Sequence, residues 1–295
     1  MRALIVKFSS IGDCVMAVPV AAALKRHQAE LTWAVDPRCA AVLEPSLLKE
    51  VFEIPWETWK REKASTLTQL RYYLRLRERK FDVGFDLQGH AKTAICLRLS
   101  GARRRTSARA FDPLVKLLNG VAPSRGAVHT VERNLEAAAT LVEISEEPEF
   151  TMPETPSVML PDNLVTIAVS TGHPRKNYPH WAAVSRGLTA MNLAPVYLGG
   201  PGDTVPGEGL SQVGKLSLAE SMAWVRGSRI HLAADTGTGH IAAAYGTPVI
   251  SIFGWTDPAL FRPYGPHVTV LDAGKSMDAL APEAILAEVK RQCGI

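Results

Sequence analysis

Cysteine is scarce and scattered. The four thiols in 295 residues are Cys14, Cys39, Cys96 and Cys293, and no two stand at CxxC or another metal-ligand spacing. That leaves out a zinc knuckle, and a chain of this length is not a disulfide scaffold. Reduced thiols in a cytoplasmic protein are expected. No apolar run approaches the roughly 18 residues that cross a bilayer as a helix. The opening MRALIVKFSS has too short an apolar stretch for a signal peptide. Repeats of solenoid or propeller period and low-complexity tracts are missing. So is any recognisable nucleic-acid-binding motif, which removes nucleic acid from the expected partners.

What is present is an ordinary globular balance, 46% hydrophobic and 21% charged, in a length that suits two domains of about 150 residues. The net charge of +4 is unevenly placed. Residues 1–155 hold 23 Lys and Arg against 19 Asp and Glu, whereas 156–295 hold 10 of each. Within 60–109 there are 14 basic and 4 acidic residues, a net of +10. A solvated helix face accounts for part of this, since RYYLRLRERK (71–80) reads as helical. Arg103, Arg104 and Arg105 follow Gly101 and read as loop. A basic patch attracts anionic partners, so an acidic acceptor or an anionic membrane face is the functional expectation.

Short β-branched runs alternate with helical stretches along the whole chain. Residues 2–8, 31–36, 51–54 and 81–89 read as strands. A helix begins at Asp13 and runs to about Arg26, kinked or restarted at Pro19. Further helices are expected at 39–48 and 129–142, the latter capped by Thr130. Residues 145–163, rich in Pro and acids, read as a linker between domains 1–150 and 160–280. The pattern then resumes with strands at 164–170, 194–200, 229–235 and 247–254. Helices follow from about 180, 218 and 238. A last helix, 282–295, is expected to pack back on the first domain. Strand–helix alternation implies an α/β protein with two doubly wound parallel sheets and a cleft between them. Ligands in such sheets bind beyond the carboxyl ends of strands.

Asp235-Thr236-Gly237-Thr238-Gly239-His240 ends a strand and opens a helix. Glycines let backbone approach a ligand, and a helix start offers unpaired amides and about half a positive charge, which suits a phosphate. Thr236 and Thr238 add hydroxyl donors. The plainer reading is a capped turn, with Asp235 or Thr238 as N-cap and His240 packed on the sheet. Ser170, Thr171 and Lys176 leave another strand of the same domain and suit further phosphate contacts; a polar surface loop is the alternative. Asp203, after a glycine turn, is placed to accept from ribose hydroxyls, or simply closes the turn. In the first domain, Ser10, Gly12 and Asp13 leave the first strand, with Asp13 as a helix N-cap or as a carboxylate in the cleft. Gln88 and Lys92 follow a later strand, where they suit a polar acceptor.

The segments VKFSSIGDCVMAVP, FDLQGHAKTA, HTVERN, Lys176-Asn177-Tyr178-Pro179 and DTGTGHIAAAYGTPVISIFGWTDP together resemble glycosyltransferase family nine, the ADP-heptose:lipopolysaccharide heptosyltransferases of GT-B fold. SSIGD and LQGHAK are more similar to the enzymes that add the first heptose to Kdo-lipid A. The resemblance implies a role for each matching position. Asp13 is implied as catalytic base. Ser170, Thr171, Lys176, Asp235, Thr236, Gly237 and His240 are implied as donor contacts. Asp203 falls on the ribose, and Leu216 where backbone meets adenine. Ser10, Gly12, Gln88, Lys92 and Arg104 are the expected acceptor side. Tyr178 stands where the family usually has Trp, and the 199–214 stretch is short and glycine-rich.

The chemistry so implied is inverting transfer from a nucleotide-sugar to an anionic glycolipid, by a cytoplasmic enzyme in peripheral contact with the inner membrane. A nucleoside diphosphate is already a good leaving group, and no DxD pair stands at the donor site. No cofactor or metal is therefore expected. A GT-B sugar-nucleotide epimerase and a non-catalytic nucleotide-sugar-binding protein are the two alternatives.

Overall fold

Strands of a parallel sheet covered on both faces are buried along their whole length, and Leu4, Ile5 and Val6, like Val165 and Ile167, are entirely shielded from solvent. In the computed structural model, residues 1–207 and 209–295 are described. They form two units, Met1–Pro153 and Glu154–Ile295, divided within the Pro- and Glu-rich stretch.

The first unit contains β1 (Arg2–Val6), α1 (Ile11–Val15), α2 (Val18–Arg26), β2 (Glu30–Val35), β3 (Glu50–Glu53), α3 (Trp56–Arg61), α4 (Thr66–Leu74), β4 (Val83–Asp86), α5 (Ala91–Leu99), β5 (Arg104–Ser107), α6 (Pro113–Asn119) and α7 (Thr130–Ala139). Its sheet runs β3-β2-β1-β4-β5, with parallel pairing throughout. The chain moves outward from β1 on one side, then returns to start β4 on the other. The loop after β1 therefore leaves the sheet at its topological switch point. Leu4, Val6, Phe8, Phe52, Tyr73, Leu76, Phe81 and Leu97 belong to the core on one face.

The second unit contains β6 (Leu164–Ala168), α8 (Trp181–Ala190), β7 (Ala194–Leu198), β8 (Leu210–Ser211), α9 (Leu218–Arg226), β9 (Ile230–Ala234), α10 (Gly237–Ala244), β10 (Val249–Phe253), α11 (Pro258–Phe261), β11 (Val268–Asp272) and α12 (Pro282–Cys293). Its sheet order is β11-β10-β9-β6-β7-β8, again parallel. The reversal falls between β6 and β9, so the loops after these two strands share the switch point. Trp181, Val184, Leu188, Ile285 and Val289 bury α8 and α12 together against the strands.

Several expectations are corrected. The helix at 39–48 is two 3-10 turns, Pro37–Val42 and Pro45–Leu47. Each starts with a proline behind an acid, Asp36 or Glu44, whose carboxylate takes an amide of its own turn. The first helix starts at Ile11, not Asp13, and it restarts at Pro19 as expected: α2 begins at Val18, with Pro19 in its first turn, where its missing N–H costs nothing. The basic stretch 71–80 spans the end of α4 and a 3-10 turn, Arg75–Arg79. Arg104 and Arg105 lie on the edge strand β5, not in a loop. The cap of α7 is His129, whose Nδ1 accepts from the Val131 amide at 3.2 Å, and Thr130 is the first helical residue. Within the second unit α12 packs on α8, with Leu286 at Gly187.

Candidate functional site

In the first unit the loop beyond β1 is built around an ion pair. Lys7 is buried, and its Nζ donates to Asp13 Oδ1 and to the Leu87 carbonyl, both at 3.0 Å. Asp13 Oδ2 accepts from the Ser10 hydroxyl at 2.8 Å and the Ser10 amide at 3.2 Å. Ser10 is thus the N-cap of α1, and Asp13 is its third helical residue, not the cap itself. Gly12 is buried in the same turn. Burial pushes the Asp13 carboxyl up, but the Lys7 ammonium and the bonds from Ser10 and Lys7 outweigh it and hold the pKa at about 2. The side chain is still 34% exposed, so a fully ionised carboxylate stands open to a ligand.

The other expected acceptor residues separate. The Gln88 side-chain carbonyl accepts from the Phe8 amide at 2.9 Å, tying the loops after β1 and β4 together. Lys92, in the first turn of α5, lies 4.0 Å over the Trp56 ring, and burial lowers its pKa. Both belong to the Asp13 end of the sheet. Arg104 does not: it pairs with Val83, at the amino end of β4. Three residues of strand, roughly 10 Å, separate it from the Asp86 end. Arg109, just past β5, was missed. Burial lowers its pKa, Arg133 adds to this, and the Asp13 charge opposes them, so it lies within electrostatic reach of the carboxylate.

The HTVERN segment supports this loop from behind. Asn134 Nδ2 donates to the Met16 carbonyl at 3.2 Å, and Arg133 donates to the Ala122 and Pro123 carbonyls. Glu136 completes the clamp, bonded to Arg133 and to the Arg125 and Ala127 amides.

In the second unit, three strand exits converge on Asp235. Lys176 Nζ, from the loop after β6, donates to Asp235 Oδ2 at 2.5 Å. Thr256 Oγ1, from the loop after β10, donates to the same oxygen at 2.6 Å. Thr256 was not singled out from the sequence, although it sits in the GWTDP segment. Thr236 is the N-cap of α10 without a side-chain capping bond; neither Asp235 nor Thr238 fills that place. Gly237 is the first helical residue, Gly239 and His240 are buried, and Ala242 and Ala243 seat the helix on the sheet. The start of α10 therefore presents its amides beside a lysine and a hydroxyl.

The loop after β6 is internally braced. The Thr171 amide donates to Asn177 Oδ1 at 2.9 Å, the Thr171 hydroxyl lies 2.9 Å from both Asn177 Oδ1 and the His173 carbonyl, and the Gly172 amide reaches Ser170 Oγ at 3.4 Å. Asp203 turns back on its own loop and accepts from the Gly200 amide at 2.7 Å. A Cβ at Gly199 would come within 2.8 Å of that carboxylate, which is why glycine stands there. Leu216, half-buried, precedes Ser217, the N-cap of α9. Tyr178, where Trp was expected, is buried against Trp181 and donates its hydroxyl to the Leu280 carbonyl at 2.8 Å. Among the described residues no group of three His, Cys, Asp or Glu side chains is arranged to hold a metal ion, and no helix is long and apolar enough to cross a membrane.

Known proteins match this arrangement over its length. The curated lipopolysaccharide heptosyltransferase 1 of Pseudomonas aeruginosa is 26% identical, over 90% of this chain and 82% of its own. The crystal structure of a family 9 glycosyl transferase from Veillonella parvula superposes with a TM-score of 0.82 at 15% identity, covering 99% of this chain and 96% of that one. The E. coli heptosyltransferase WaaC, solved with ADP, gives 0.77 at 22% identity over 99% and 100%. These likenesses carry the two-sheet GT-B fold. The profile described as glycosyltransferase family 9 (heptosyltransferase) matches residues 70–281, most of the chain, and the protein belongs to that family.

Proposed function

We propose that this protein transfers a heptose from ADP-heptose to the inner core of lipopolysaccharide, with inversion at the anomeric carbon and without a metal. The observation that carries the reading is the convergence of Lys176 and Thr256 on Asp235 at the start of α10. There the leaving diphosphate meets an ammonium and helix-start amides, the groups that stabilise charge as it develops, with Thr256 helping to hold Asp235. Ser170, Thr171, Thr236, Gly237 and His240 complete this donor side, with Asp203 and Leu216 toward the nucleoside. The first unit supplies the proton acceptor. Asp13, held ionised at about 2, is a weak base. It acts by position, taking the proton of the acceptor hydroxyl late, as the new C–O bond forms. Lys92 and the neighbouring basic side chains meet an anionic glycolipid at the inner face of the membrane; Ser10, Gly12 and Gln88 shape the loop that holds Asp13.

Asp13→Asn keeps the volume and removes the base. Transfer should fall by about 10²-fold or more, while ADP-heptose still raises the melting temperature of the variant. Normal turnover would remove Asp13 from the mechanism. In a thermal-shift panel of ADP, UDP and GDP sugars, the true donor stabilises most by mass action; a UDP-sugar in first place would overturn the heptose donor. Donor consumption that needs no acceptor would favour the epimerase alternative.

A further inference from the structure

The strand that delivers Asp235 also carries a buried imidazole. His231, on β9, is fully shielded from solvent. Its Nδ1 lies 2.8 Å from Thr166 Oγ1 on β6, and its Nε2 lies 3.0 Å from Thr238 Oγ1 in the first turn of α10. Burial lowers its pKa to about 3, so the ring is neutral and has a single N–H.

The far end of the chain decides which nitrogen bears that proton. Ser228 Oγ donates to the Val225 carbonyl at 2.8 Å, an acceptor with no proton to return. The Ser228 oxygen therefore accepts from the Thr166 hydroxyl, 3.1 Å away. Thr166 has spent its one proton, so its oxygen accepts from His231 Nδ1–H. Nε2 is left as a lone pair, and the Thr238 hydroxyl must donate to it. Every proton runs the same way, from α10 inward to Val225.

We propose that His231 is a positioning residue that commits the Thr238 proton to the protein interior. Thr238, which is half-buried, then meets a ligand only as an acceptor. It suits a hydroxyl of the transferred sugar, which ADP lacks, and it gives nothing to a phosphate oxygen. This reverses the sequence expectation that Thr238 is a phosphate donor. The class of ligand rests on the nucleotide-sugar reading; the order of the protons does not.

Long-range ¹H–¹⁵N spectra of the imidazoles in the full-length protein read the tautomer directly. The expected His231 signature is a protonated Nδ1 and a bare Nε2, unchanged between about pH 5.5 and 8.5. A protonated Nε2, or a titration in that range, overturns the proposal. Thr238→Val removes the hydroxyl at nearly equal volume. It should shift the Nε2 resonance and leave ADP affinity within about twofold, whereas losing a donor to a charged phosphate costs about tenfold or more. A tenfold weaker ADP complex overturns the proposal. Thr238→Ser keeps the hydroxyl and should keep the spectrum, which separates the loss of the bond from a misfolded turn. If the unaltered protein failed to bind ADP, the nucleotide-sugar reading would fall, and the imidazole spectrum would still decide the order of protons.

Discussion

Lys7 is buried, yet it governs the ionisation of Asp13, the residue proposed as the base. With the carboxyl of Asp13 at about 2 in the folded chain, below its ordinary 3.8, the pair stabilises the fold above about pH 4. That contribution is lost as the pH falls through about 2. Over any practical assay range Asp13 is ionised, and it imposes no acid limb on the rate. Lys7→Met removes the ammonium and its bond and leaves burial opposed only by the Ser10 bonds, so the carboxyl pKa rises. The expected outcome is a kcat/KM at pH 5.5 at least about tenfold below the unaltered enzyme, with the gap narrowing by pH 8 as the carboxylate reforms. A ratio that stayed flat across that interval would show that Lys7 does not set the protonation of Asp13.

Among elements, α7 shows how a motif prominent in the sequence braces a neighbouring loop. Asn134 reaches the Met16 carbonyl across 118 residues of chain and fixes the backbone that follows α1. Asn134→Ala strands a buried acceptor and should lower unfolding stability by about 1–3 kcal/mol in a urea titration. An unchanged midpoint would show that the bond contributes nothing. The long apolar strands were legible because burial on both faces leaves a continuous β-branched run, as in LVTIA and VISIF. β5 was not, because an edge strand reading Arg-Arg-Thr-Ser has no such run. The 3-10 turns at Pro37 and Pro45 mimic a helix in composition, and only the prolines hint otherwise. At the site, the strand exits announced Asp13, Lys176 and Asp235. Thr256 and Arg109 lie farther along the chain and join these clusters only through sheet order, which one-dimensional spacing does not reveal. Arg104 is the converse case: its charge was visible in the sequence, but its pairing with the amino end of β4 was not.

At the scale of the whole molecule, the positive charge is concentrated in the first unit, and not all of it is available. Arg79 is bound to Glu50 through two nitrogens, at 2.6 and 3.1 Å, and Arg75 lies over Tyr72. Arg71 and Arg77 are exposed. If these exposed cations draw in an anionic glycolipid, screening should weaken the effect over a Debye length of about 10 Å at 0.1 M salt. The KM for the acceptor should then rise several-fold between about 50 and 500 mM NaCl, and the slope should flatten in an Arg71→Ala/Arg77→Ala variant. Equal slopes in the two proteins would place the attraction elsewhere.

The carboxyl-end loops of both sheets have a consequence for descent. A replacement within 170–177 or 254–257 alters the groups that meet Asp235, yet lies outside the paired strands β6 and β10. A lineage can therefore trade one sugar or one acceptor for another without relearning how to fold. Divergence can proceed until little identity is left, as between this chain and its Veillonella counterpart at 15%, with the fold still superposing at a TM-score of 0.82.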